Sequence, residues 1–344
     1  MRFFKVVGYA TALLTLGFGL SRVWVAVADY RERQREVEEL LATADVLMIG
    51  ADYRDAWETV NEALELDDSP RVRERLEDVA MVWLRDASVP AGETFDSLVS
   101  PLLPVITRGI TLSEGQRRAD LLAHLGYAGF LRWRNTGTNT DFDRYYDEAL
   151  GIDPANPFAN AFSAHWILQP PSGSFDDAQA HFRVAIEGDR EREFVRRMQL
   201  AALTNSSTLE SDAAMVRMAV ELHAANEPVP EGFVRELWSQ VYVSVMANRN
   251  ALGRDAALGA APAEAHAAMF EAFFDAGSAA YRDRRWERDL WLATILEQAG
   301  EPARARTILE ETLAVLASES PEINESYLES IREAIARIET SRAR

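Results

Sequence analysis

The sequence predicts an all-α chain, a stack of antiparallel helical hairpins following one apolar N-terminal helix. Three observations carry this. Apolar residues recur at spacings of three and four, with no sustained two-residue alternation bounded by hairpin turns. The breaks are short clusters of Gly, Pro, Asn and Ser: "DDSP" (67–70), "NTGTNT" (135–140), "DPANP" (153–157), "QPPSGS" (169–174) and "NEPVP" (226–230). Apolar types make up 48% of the 344 residues, enough to bury a sizeable core.

The first element is the apolar run 6–28, interrupted only by Arg22, within "MRFFKVVGYATALLTLGFGLSRVWVAVAD". As a helix it is roughly 34 Å long, enough to cross the hydrocarbon core of a bilayer. Val6, Leu13, Leu20 and Trp24 are the expected anchor residues, with Arg22 and Trp24 near one interface. The expected division is therefore 1–28, a membrane anchor or signal peptide, and 29–344, a helical-repeat domain. "AVA" at 26–28 before Asp29 fits the small-x-small rule for signal peptidase, so cleavage after Ala28 is the alternative. Arg2 and Lys5 precede the run; Arg31, Arg33 and Arg35 follow it. The short basic start favours an N-terminus inside. The expected localisation is a single-pass inner-membrane protein with a periplasmic C-terminal domain, or a periplasmic or secreted protein after cleavage.

The next element is the hairpin 37–70. Leu40, Thr43, Ala44 and Leu47 mark its first helix; Ala56, Val60 and Ala63, in "GADYRDAWETVNEALELDDSP", mark its second. Small residues at Ala44 and Ala56, twelve apart, let two helices approach closely while larger ones fill the space above and below. Residues 71–112 depart from this frame, and three prolines in 88–112 predict short, broken helices there. A stretched copy occupies 119–154: Leu122, Leu125 and Gly126 lead to Phe142, Tyr146 and Ala149, with "NTGTNT" as an insertion. A second occupies 158–190, with Ser163, Ala164 and Ile167 leading to Ala178, Phe182 and Ala185. A fainter copy has Ala201 and Ala202, then Ala214 and Met218. Residues 225–285 again depart. The frame returns in 286–319, where Leu292, Ala293 and Leu296 precede Gly300, and Ala305, Leu309 and Thr312 follow; Ala293 and Ala305 are again twelve apart.

This recurring frame resembles the tetratricopeptide repeat (TPR), a helix-turn-helix of about 34 residues. The resemblance covers about half of the chain and implies a right-handed solenoid whose first helices line a concave surface. Carried over by register from Ala44, Gly126 and Ala164, it implies a protein-binding groove of Leu41, Asp45 and Met48; Ala123, Tyr127 and Phe130; and Ala161, His165 and Leu168. This set lacks the Lys and Asn with which some family members clamp a C-terminal carboxylate. The aromatics Trp133, Tyr145, Tyr146, Phe158, Phe162 and Trp166 cluster in the two stretched copies, and most are expected between helices.

Chemistry is hard to find. His124, His165, His181, His223 and His266 form no paired zinc motif, and Asp177 with His181 reads as a surface pair on one helix. Nucleotide-loop and hydrolase-elbow motifs do not occur. "YRDRRWERDLW" (281–291) interleaves Arg282, Arg284, Arg285 and Arg288 with Asp283, Glu287 and Asp289, which reads as a self-neutralised helix face. With no cysteine, disulfides, thiolate metal sites and thiol catalysis are excluded. Net charge is −19; residues 1–28 hold three basic residues and no acid, so the remainder carries −22. That disfavours nucleic acid and suits basic or apolar protein segments. The expected function is a membrane-tethered TPR scaffold mediating protein-protein interactions in an envelope complex. The alternatives are a constitutive structural subunit of such a complex or, less favoured, an enzyme with a site in 225–285. No enzymatic activity, cofactor, metal or small-molecule substrate is expected.

Overall fold

The computed structural model describes residues 2–87, 89, 92–137, 141–169, 173–206, 285–319 and 325–342, with scattered positions between 211 and 237. Twelve helices and no strand occur among the described residues. They are α1 (Arg2–Ile49), α2 (Tyr53–Leu66), α3 (Pro70–Asp86), α4 (Phe95–Leu112), α5 (Gly115–Thr136), α6 (Arg144–Ile152), α7 (Pro157–Ile167), α8 (Phe175–Glu187) and α9 (Arg192–Ser206), then α10 (Arg285–Gln298), α11 (Pro302–Glu319) and α12 (Glu325–Arg342). Two compact units divide the chain, Met1–Ala159 and Asn160–Arg344.

One expectation is overturned at the N-terminus. Among the described residues, no helix is long and apolar enough to cross a membrane. The single-pass inner-membrane placement with a periplasmic domain is therefore corrected. The segment 6–28 is not a separate element: it runs unbroken into the charged stretch 29–39 within the 48-residue α1. The side chains of Val6, Leu13 and Leu20 lie outside the described residues; Trp24 is 70% exposed.

In the first unit the hairpin frame is explicit. Val37, Leu41 and Ala44 of α1 share a buried cluster with Ala56, Val60 and Ala63 of α2, and Val72, Leu76 and Val79 of α3 extend it. The acidic α2 keeps its small residues at those spacings because that stripe faces its neighbours and the carboxylates face water. α2 stops at Asp67, whose N–H bonds to Ala63 O, and Pro70 opens α3 where its missing N–H costs nothing.

α3 and α4 form a further hairpin, and one helix stands where short, broken ones were expected within 88–112. α3 packs on α2 and α4 and reaches both α1 and α5. α4 is one continuous helix despite Pro101 and Pro104. Thr94 and Ser97 close a capping box at its start. Leu98, Val99, Leu102 and Ile106 are buried while both prolines are exposed, so packing of the apolar stripe outweighs the lost backbone bonds. α5 ends at Gly137, which adopts φ 67°, a left-handed cap suited to glycine. α6 packs on α5 through Gly126, where a Cβ would meet Tyr146 Cε1 at 2.5 Å.

In the second unit α8 packs on α9, α10 on α11, and α11 on α12. Leu292, Ala293 and Leu296 share one core with Ala305, Leu309, Ile331, Ala334 and Ile338. Ala214 and Met218, from the faint copy, belong to the same core. Most of 225–285 lies outside the described residues.

Candidate functional site

The nine residues expected in a groove do not form an open surface. Leu41, Ala123, Tyr127, Phe130, Ala161 and His165 are buried. Met48 and Leu168 are half-buried against the cores of the first and second units respectively, and Asp45 is half-exposed. Tyr127 stacks on Phe130 at 5.7 Å between ring centroids; Phe130 meets Phe142 edge-on at 5.9 Å, and Phe142 meets Tyr146 at 6.2 Å. This file of rings fills the space between α5 and α6, where the connection is longer than in the 37–70 hairpin. The exposure expected of Tyr127 and Phe130 is thereby corrected. The Asp177–His181 pair is also redirected: His181 Nδ1 lies 2.8 Å from Asn160 Oδ1, and the Asp177 backbone N–H donates to Ser174 Oγ, capping α8. Among the described residues no group of three or more His, Asp or Glu could hold a metal. Of the basic stretch 281–291, Arg288 pairs with Asp289 at 2.8 Å, and buried Asp289 accepts from Thr312 Oγ1 at 2.6 Å.

What the first helices do present is an ion-pair ladder. Arg71 of α3 donates to both carboxylate oxygens of Glu38 of α1 through its two terminal guanidinium nitrogens. Arg75, one turn on, reaches Asp45 of α1 at 2.8 Å and Asp78 of its own helix at 3.7 Å. Arg117 of α5 returns to Asp78, and to Glu77 at 2.8 Å. Hydrogen bonding from Arg71 holds the Glu38 carboxyl below its ordinary range. Glu77 is the buried member, its side chain 4% exposed, and its carboxylate lies against Gly109. Sequence reading missed this ladder. Its signal was the four-residue spacing of Arg71 and Arg75 beside acidic α1 positions.

The outer stripe of α2 is different. Asp52, Asp55, Glu58, Glu62 and Glu65 are exposed, and none has an ion-pair partner among the described residues. These carboxylates give the first unit an acidic field.

The second unit holds a cleft of about 770 Å³. α8 lines it with Phe175, Gln179, Arg183 and Ile186, and α9 with Arg192, Arg196 and Gln199. The third wall is Arg217, Glu221 and Ala225, helical positions four apart. Arg196 is 5% exposed and is held by Gln199 and Glu221, each at 3.3 Å. Arg192 pairs with Glu227. Sequence reading passed over these arginines because Arg183, Arg192 and Arg217 are far apart in the sequence and only the fold brings them to one cleft.

No protein-family model matches the chain, and no curated protein matches it. Solved structures do. A tetratricopeptide repeat protein from Parabacteroides merdae matches with a TM-score of 0.37 and 13% identity, over 89% of this chain and 99% of that one. The P58(IPK) TPR domain matches with a TM-score of 0.24 and 13% identity, over 89% of this chain and 98% of that one.

Proposed function

We propose that the chain is a protein-binding scaffold of the TPR type, which associates with basic or apolar segments of other proteins. The observation that carries this is the stacking of successive hairpins in the first unit. α3 contacts both α1 and α5, so each hairpin rests on the next, as in repeat arrays whose stacking builds an extended surface. Such surfaces serve binding more readily than catalysis. The unpaired carboxylates of α2 support a basic partner, since complementary fields steer association.

A second reading, a permanent subunit of a larger complex, has its own support. Val46 and Ile49, three apart on one side of α1, are 69% and 88% exposed. Apolar side chains grouped on one element are a mark of an interface. A pull-down with the full-length chain, followed by calorimetry on the captured protein, separates the two. The scaffold reading expects reversible association that weakens with salt. The subunit reading expects a stoichiometric complex that does not exchange. A chain that captures no protein contradicts both.

A further inference from the structure

We propose that the arginine-lined cleft of the second unit takes an acidic peptide segment. This rests on the protein-binding reading for the class of partner, and adds a ligand chemistry opposite to that of the α2 face. The argument is a surplus of donors. Arg196 is committed: buried, it is held by Gln199 and by the carboxylates of Glu221 and Glu227. Arg183 and Arg217 are exposed on two of the walls, and neither has an acidic partner among the described residues. Between them the amides are ordered. Gln199 Nε2 donates to Gln179 Oε1 at 3.3 Å, which fixes the orientation of the Gln179 amide. Gln179 Nε2 is then a buried donor with no hydrogen-bond partner, a group whose desolvation is uncompensated until an acceptor arrives.

Two guanidinium forks and one amide N–H call for carboxylate oxygens, which arginine binds bidentately. The acids on the α8 wall, Asp176 and Glu187, sit at its two ends, so they do not neutralise its middle. Phe175 and Ile186 give apolar contact on the same wall. Alternating acidic and apolar side chains therefore fit. A nucleic acid fits less well, because a phosphate backbone would leave the apolar contact at Ile186 unused.

The test is fluorescence anisotropy on the full-length chain. The probe is a fluorescein-labelled peptide alternating glutamate and leucine, and the control carries lysine for glutamate. Wild type should bind the glutamate peptide and not the lysine peptide. Arg183→Ala with Arg217→Ala should weaken binding by about tenfold or more with helicity retained. If that double variant loses helicity, Arg183→Ala alone, at an exposed position, is judged by the direction of the change. Absence of binding by wild type, undiminished binding by the variant, or tighter binding of an RNA oligonucleotide overturns the proposal. Capture of a protein partner by a chain that ignores the peptide removes the cleft inference and leaves the scaffold reading standing; peptide binding without any protein partner does the reverse.

Discussion

At the scale of single residues, small side chains decide how closely helices approach. Gly126 is the sharpest case, because the Tyr146 ring occupies the place of a Cβ. Gly126→Ala gains helix propensity of about 1 kcal/mol but must displace a fully packed ring. The net expectation is a loss of about 1–3 kcal/mol by denaturant titration. Tyr146 makes a second prediction. Burial raises its phenol pKa well above the ordinary value, with the neighbouring Tyr127 and Asp143 acting in the same direction. The fold holds that proton more tightly than the unfolded chain does. Its contribution is complete below the unfolded pKa of about 10 and is lost as pH rises beyond it. Stability of Tyr146→Phe should therefore fall less than wild type above about pH 10. The small residues were legible in the sequence, since Gly and Ala recur at fixed offsets. The burial of Tyr127 and Phe130 was not, because register alone does not tell a ring facing the next helix from one facing solvent.

At the scale of elements, α3 is the hub of the first unit. It packs on α2 and α4, and Arg117 of α5 reaches its buried Glu77. Removing one partner leaves a carboxylate without its counter-charge, a change that costs about 3–5 kcal/mol in buried pairs. Arg117→Met should approach that loss, and adding Glu77→Gln should recover much of it. Equal destabilisation in the single and double variants would mean that α5 is held by apolar packing alone. The exposed Arg71–Glu38 pair should matter little by comparison, at most about 1 kcal/mol. Helix existence was mostly legible from the apolar period. α4 was misread because Pro101 and Pro104 suggest breaks in the linear sequence, and only packing shows that both lie on the outer side of a helix held by its inner stripe. The ladder left only the Arg71–Arg75 spacing in the sequence, because Glu38 and Arg71 are 33 residues apart and only the hairpin return brings them together.

At the scale of the whole chain, charge separates along the sequence in a way that composition conceals. A net −19 suggests a uniformly acidic surface. Instead the α1–α3–α5 ladder neutralises itself, the α2 stripe stays acidic, and the second unit gathers arginines around a cleft. The apolar run at the N-terminus misled for another reason. Its run of apolar residues suggests a membrane span, whereas among the described residues no helix is long and apolar enough to cross a membrane. The central claim, that this hairpin array binds protein through its acidic face, is tested most directly by affinity capture with full-length chain at low and high salt. Wild type is compared with Glu58→Gln, Glu62→Gln and Glu65→Gln combined. These side chains are exposed, so helicity should be unchanged. The account predicts a discrete captured protein at low salt, lost both at high salt and in the triple variant, as screening of exposed charges requires. Capture that is indifferent to salt and undiminished in the triple variant would contradict it.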